Sequence, residues 1–315
     1  MHWPSILAYM ISSFSIVIFN KIVLTIFEFR SVPFIMFCQS IFTVSVLLIR
    51  INYIQKPGLS ILKICVLNIL NIFFGLSGSA TVNVAMFSAL RRISIIMILI
   101  GQWGLLEKKP SCGVFISVIF MILGALVAAS DDLSFNIGGY LYVTLNNILT
   151  AACQIETKRA ILDKWTKTSI LFWTSFLTLL IFGLQILYYN SVSFRAWENP
   201  GFRVAFFFSI CLGFIINWSA SWTIEMNDAL TLSVAGSTKS AILGLIVCIG
   251  IFDNTYIFSW MNFIGLQISA ISSLCYIYAK NTENKLVENT ENKLVENTEN
   301  KLVENTENKL VENNV

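Results

Sequence analysis

Residues 229–251 read ALTLSVAGSTKSAILGLIVCIGI, an apolar run in which Lys239 is the single charge and stands close to the midpoint. At 1.5 Å per residue a helix of this length crosses the ~30 Å hydrocarbon core of a bilayer once, which sets the Lys239 ammonium near mid-membrane. A lysine at that depth costs about 2.5–3.5 kcal/mol on insertion scales, so such residues usually face a cavity, a partner or a ligand. The nearest acids, Glu225, Asp228 and Asp253, lie outside the run. Beside Lys239 on a helical wheel runs a stripe of small residues, Ser233, Gly236, Ser237, Ser240 and Gly244, which admits close approach of a backbone or a ligand. The structural alternative is a lysine that snorkels or bonds to carbonyls of a neighbouring helix.

The rest of the chain has the same character. Its 315 residues are 56% hydrophobic and only 12% charged, the composition of a polytopic membrane protein rather than a soluble globule. Hydrophobic runs cover about 3–25, 31–49, 59–79, 82–106, 111–129, 136–157, 168–188, 203–224, 229–251 and 256–279. Within hydrocarbon only helices and closed barrels satisfy the backbone, and runs this long are helices. The first lacks a basic leader and a clear small-residue cleavage site, so it reads as a retained helix. The seven cysteines stand singly in or beside the runs, with no disulfide or metal spacing. The single histidine, His2, is terminal, which removes most imidazole chemistry.

Lysines and arginines in the connections set the orientation. With a cytosolic N-terminus, the inner loops collect Arg50, Lys56, Lys63, Lys108, Lys109, Lys158, Arg159, Lys164, Lys167 and Lys280. Arg30, Arg195 and Arg203 fall on the other side, and an even number of spans leaves both termini cytosolic. Lys21, Arg91, Arg92 and Lys239 stand apart from this pattern. Lys21 follows Asn20 late in the first run. Arg91 and Arg92 sit a third of the way into the fourth, where Ser88, Arg91, Ser94 and Gln102 share a face; adjacent residues point about 100° apart, so at least one arginine should face inward. The arginine pair and Lys239 occupy the fourth run of the first five and the fourth of the second five. Transporters built from inverted halves place their sites on such equivalent helices. The expected fold is therefore an all-α polytopic membrane protein of about ten transmembrane helices in two inverted five-helix repeats around a central cavity. Residues 1–130 and 131–280 would form the halves.

Polar faces recur. Tyr140, Thr144, Asn147, Ala151, Gln154 and Lys158 follow helical spacing in the sixth run. Gly213, Asn217, Ala220 and Ser221 do so in the eighth, and Asn262, Gly265, Ser269, Ser273 and Tyr276 in the tenth. Each face alone could be helix-packing glue, whereas several together suggest a hydrophilic cavity. From residue 281 to 315 the chain becomes a low-complexity tail in which NTENKLVE repeats four times. Its leucines drift around a helix by ~80° per repeat and make no seam. Its eight glutamates and four lysines, set against the chain's net +3, leave +7 on residues 1–280.

Several segments resemble the nucleotide-sugar transporters of the drug/metabolite transporter superfamily. The likeness is carried by Phe74-Gly75-Leu76-Ser77-Gly78-Ser79, by Met86 through Ser94 with Arg91-Arg92, and by Gly124 through Leu133. Gly139-Tyr140, Leu149-Thr150-Ala151-Ala152 and Phe258 through Leu266 extend it. The branch most resembled carries UDP-N-acetylglucosamine, UDP-glucuronic acid and related UDP-sugars. The resemblance implies ten helices, a Golgi or endoplasmic reticulum membrane, and exchange of a cytosolic nucleotide-sugar for a lumenal nucleoside monophosphate such as UMP. It matches the family's ninth-helix motif to Gly236-Ser237-Thr238-Lys239, with Lys239 expected near the phosphates. Two departures stand out. Phe172-Trp173-Thr174 replaces a pair of aromatics followed by asparagine, and Asn146-Asn147 stands where an asparagine and an acid are common.

Buried cations bind phosphate through charge-assisted hydrogen bonds, so an anion between Arg91 or Arg92 and Lys239 would bridge the halves. The candidate substrate-binding residues are Lys239, Gly236, Ser237, Arg91, Arg92, Asn20, Lys21, Asn147, Trp173 and Tyr276. Phe172, Trp173 and Tyr276 are candidates for stacking the base. No metal or other cofactor is required, nucleic acid is not a partner, and a homodimer is compatible with the sequence. Translocation of a smaller phosphorylated sugar is the main rival, followed by a transport-inactive regulator. An enzyme is disfavoured, because no nucleophile constellation is present and Asp131-Asp132 stand alone.

Overall fold

The computed structural model describes residues 1–29, 31–49, 52, 54–82, 90–106, 109–130, 137–189, 195–248, 260–261 and 263–286, and among these the regular structure is all helical. The helices are α1 (Trp3–Lys21), α2 (Val32–Leu48), α3 (Leu59–Thr81), α4 (Ile93–Leu106), α5 (Cys112–Ala129), α6 (Ile137–Leu162), α7 (Lys167–Tyr189), α8 (Pro200–Met226) and α9 (Ala229–Cys248), followed by α10 (Phe263–Leu286). Local chemistry sets several starts. Prolines stand in the first turns of α1, α2 and α8, where a missing N–H is harmless. Asn199 Oδ1 accepts from Gly201 N–H at 2.8 Å, and Ser111 Oγ from Val114 N–H at 3.4 Å. Four stretches, Trp3–Leu24, Lys167–Leu187, Pro200–Met226 and Phe263–Leu286, are long and apolar enough to cross a bilayer. Shorter apolar helices accompany them, and the whole is consistent with a polytopic membrane protein.

The helices depart from the apolar runs in three places. α6 reaches Leu162, beyond the run that ends near 157. α10 continues through the first residues of the repeat tail to Leu286, where Lys280 and Glu283 pair across one turn at 2.9 Å. The fourth run is not one helix: residues 90–91 are helical, Arg92 is a turn, and α4 begins at Ile93. Three successive carbonyls at this break take a donor, Leu90 from Asn147 Nδ2 (2.8 Å), Arg91 from Ser94 Oγ (2.7 Å) and Arg92 from the Ile95 N–H (3.0 Å). Asp131-Asp132, Asn262 and residues 287–315 lie outside the described residues.

α1 packs along α8, α2 along α7 and α3 along α6, while α9 touches α1 and α4. The core of α4, α5, α9 and α10 is apolar, with Ile98, Val118, Met121 and Tyr276 fully buried. α5 and α10 meet backbone to backbone. A Cβ on Gly265 would overlap the Ala128 nitrogen and the Gly124 carbonyl oxygen, so only glycine fits. Where α1 ends and α2 and α8 begin, Phe29, Phe34, Trp197, Phe202 and Phe206 form an aromatic cluster.

The opposite end of the bundle is held by polar contacts. The His2 N–H donates to Asn227 Oδ1 at 2.8 Å, and Gln55 accepts from Thr166 N–H at 3.0 Å. Lys167 pairs with Glu225, and Lys280 with Asp228 at 3.5 Å. Lys158, read from sequence as a loop cation, is buried at 5% exposure. Its Nζ donates to the carbonyls of Ile224 (2.8 Å), Glu225 (3.2 Å) and Asn227 (2.6 Å). The last carbonyls of a helix have no partner within it and carry the negative end of its dipole, which is why a cation settles there. Lys158→Met keeps the stem and removes the donors. It is expected to lower stability by about 3 kcal/mol, visible as a lower melting temperature in detergent; an unchanged melt would show that α8 ends securely without it.

Candidate functional site

A chamber of about 450 Å³ lies within the bundle, walled by α1, α2, α3, α6, α7, α8 and the first turn of α9. Its polar lining combines six carboxamides, Asn20, Gln39, Asn68, Asn71, Gln154 and Asn217, with a larger number of serine, threonine and tyrosine hydroxyls. These side chains are held in register by the helices that carry them. Ser209, Gly213 and Asn217 recur at every fourth position of α8, and Gln39 packs into the space that Gly213 leaves. Gln39 Nε2 donates to the Ser209 carbonyl (3.2 Å), and Ser209 Oγ donates to Asn20 Oδ1 (2.6 Å), so α2, α8 and α1 are linked through one chain of bonds. Across α3 and α6, Asn146 Nδ2 donates to both oxygens of Asn71, at 2.6 and 2.7 Å. A larger crevice of about 630 Å³ between α3 and α7 is apolar and bordered by Leu70 and the exposed Phe73, a surface suited to lipid tails.

Tyr9 connects the chamber to the cations. It lines the chamber, and its hydroxyl would stand 3.2 Å from a Cβ placed on Gly236. The same phenol lies within electrostatic reach of the Arg91 guanidinium. Gly236 and Lys239 are three residues apart on α9 and therefore occupy one helical face. One phenol thus joins the break that carries the arginine pair to the glycine-and-lysine motif.

The sequence candidates separate into groups. Asn20 lines the chamber, Gly236 abuts Tyr9, and Ser237 is buried with its hydroxyl unpartnered. Arg92 turns into the protein: it is 5% exposed and donates to Ser269 Oγ on α10 at 2.6 Å, with Nε unpartnered. Asn147 is buried against the helix break through its bond to Leu90. Trp173 packs on Phe172 and Phe176 and donates to the Gln55 carbonyl at 3.0 Å, tying down the connection between α2 and α3. Tyr276 is fully buried, with its hydroxyl 3.1 Å from Thr231 Oγ1. Trp173 and Tyr276 are not among the residues that line the chamber. The side chains of Lys21 and Lys239 lie outside the described residues.

The polar face of α8 contributes Asn217, Ala220 and Ser221 to the lining, and that of α6 contributes Gln154. The α10 face serves packing instead, through Gly265, Ser269 and Tyr276. Tyr9, Gln39 and Asn71 are contributions that sequence reading did not single out, and Asn146, noted there only as part of a motif departure, is the partner of Asn71.

No protein-family model matches the chain. It is 36% identical over 288 residues to the UDP-sugar transporter UST74c of Drosophila melanogaster, an alignment covering 87% of this chain and 76% of that one. With the human nucleotide sugar transporter SLC35D2 it shares 33% over 290 residues, 87% of this chain and 85% of the other. A crystallised protein of 13% identity superposes with a TM-score of 0.63 over 88% of this chain and 98% of its own, a likeness of fold.

Proposed function

The chain belongs to the nucleotide-sugar transporter family, and from that premise we propose that it is an antiporter carrying a UDP-sugar from the cytosol into the Golgi or endoplasmic reticulum lumen in exchange for UMP. It is a transporter rather than an enzyme. The observation that carries the reading is the chamber of about 450 Å³, lined by amides and hydroxyls and including Tyr9, which lies within electrostatic reach of Arg91. A nucleotide-sugar has a matching division, with anionic phosphates at its centre and neutral, hydrogen-bonding rings at both ends. The volume falls within the ~300–1,000 Å³ typical of ligand pockets.

Arg91 and Lys239 would bind the diphosphate from the two halves of the body. Two inverted halves are supported by the packing. Exchanging each helix of the first five with its counterpart in the second maps α1–α8 onto α6–α3, α2–α8 onto α7–α3 and α1–α9 onto α6–α4, and each of these contacts exists. The polar end that gathers His2, Lys158, Lys167 and Lys280 supports the cytosolic placement of both termini. An occupied site neutralises its cations and an empty one does not, so the loaded carrier crosses and the empty one stays. Reconstituted liposomes loaded with UMP are expected to release it in response to external UDP-sugar and to hold it otherwise. Equal efflux with nothing outside would refute obligatory exchange, and competition by a triose phosphate but not by UMP would favour the smaller cargo.

A further inference from the structure

Hydrogen bonds inside the protein occupy one end of five of the six chamber amides, and Asn20, whose Oδ1 accepts from Ser209 Oγ at 2.6 Å, keeps its N–H donors. On the α3–α6 wall, Gln154 Oε1 accepts from Ser233 Oγ at 2.8 Å, and Asn71 Oδ1 accepts from Asn146 Nδ2 (2.6 Å) and Thr150 Oγ1 (2.8 Å). Both oxygens are used, so these two side chains offer N–H donors to the chamber. On the α2–α8 wall the order reverses. Gln39 Nε2 donates to the Ser209 carbonyl and hydroxyl at 3.2 and 3.3 Å, and Asn217 Nδ2 donates to the Gly213 carbonyl at 2.9 Å. Gln39 therefore presents its carbonyl oxygen, and Asn217 its carbonyl oxygen with one remaining N–H. No charged side chain occurs among the described residues that line the space.

A hydroxyl both donates and accepts, so a ring bearing several can satisfy the donor wall and the acceptor wall together. A carboxylate only accepts. It could use Gln154 and Asn71, but it would set its charge against the oxygens of Gln39 and Asn217, which have no proton to give it. We propose that the chamber holds the sugar of the nucleotide-sugar and selects a neutral hexose or N-acetylhexosamine over a uronic acid, with Gln39 and Asn217 as the specificity-determining residues. The inference rests on the nucleotide-sugar reading above and narrows it.

The test is uptake of labelled UMP into UMP-loaded liposomes, inhibited by UDP-glucose, UDP-N-acetylglucosamine or UDP-glucuronate. The two neutral conjugates are expected to inhibit at about tenfold lower concentration than the uronate. Asn217→Ala, which removes one acceptor, is expected to narrow that ratio to about threefold. Equal inhibition by UDP-glucose and UDP-glucuronate in the wild type overturns the inference and leaves the transport reading standing, a comparison that needs no variant. Absence of inhibition by all three, with no UMP uptake, overturns the transport reading itself. An Asn217→Ala protein that changes its preference between UMP and CMP while keeping its sugar ratio would place the base in the chamber, and the inference would fail.

Discussion

Liposomes carrying Lys239→Ala are expected to take up labelled UMP no faster than protein-free liposomes. Lys239 lies on the face of α9 that carries Gly236, and Gly236 abuts Tyr9, which is within electrostatic reach of Arg91. In the proposed carrier these two cations take the diphosphate from opposite halves. A hydrogen bond to a charged partner contributes about 1.5–3 kcal/mol, so its loss reduces binding roughly 10- to 150-fold. Exchange uses the site once in each direction, which compounds the loss. Folding should move the other way, because the variant is relieved of the ~2.5–3.5 kcal/mol that a mid-membrane lysine costs. The variant should therefore insert normally and melt no lower than the wild type. Exchange at the wild-type rate would remove Lys239 from the site.

Gly265→Val is expected to prevent correct folding. The Cβ it adds overlaps the Ala128 nitrogen and the Gly124 carbonyl oxygen, backbone atoms of a neighbouring helix that cannot rotate away. α10 would have to retreat from α5, taking Ser269 from Arg92 and Tyr276 from Thr231. A loss of at least about 3 kcal/mol follows from overpacking compounded by the loss of buried polar partners. Size-exclusion chromatography in detergent should show aggregated or absent protein. Gly104→Ala is the control, since a Cβ there meets nothing within 4 Å, and it should elute and melt as the wild type does. Normal elution of Gly265→Val would mean that α5 and α10 are not in backbone contact.

These two residues also show where sequence reading reaches and where it ends. Apolar runs announce helices because hydrocarbon leaves the backbone no alternative. The run that opens at Ala229 becomes α9 from its first residue. The direction of a polar face is harder to read. Asn217, Ala220 and Ser221 line the chamber, whereas Gly265, Ser269 and Tyr276, spaced in the same way, pack against α5, Arg92 and α9. Small and polar residues at helical spacing suit both a cavity wall and a close helix contact. Lys158 resembled a loop cation because its carbonyl partners lie 66 to 69 residues further along the chain. Tyr9 gave no local signal, being one aromatic in an apolar helix. The break at Arg92 has no proline to mark it; its side-chain donors are Ser94 and the distant Asn147.

The first helix finds its partners very late. The His2 amide bonds to Asn227, Ser12 to Ser219, and the Ser5 carbonyl to Thr223, across 207 to 225 residues of chain. At ~5–20 residues per second of synthesis, α1 enters the membrane about 10–45 s before α8 is made. Through that interval the insertion machinery must shelter a segment whose serines have only their own helix to bond with. A ribosome halted between α7 and α8 would release a fragment whose first helix can span the bilayer but lacks the α8 partners of Ser5 and Ser12.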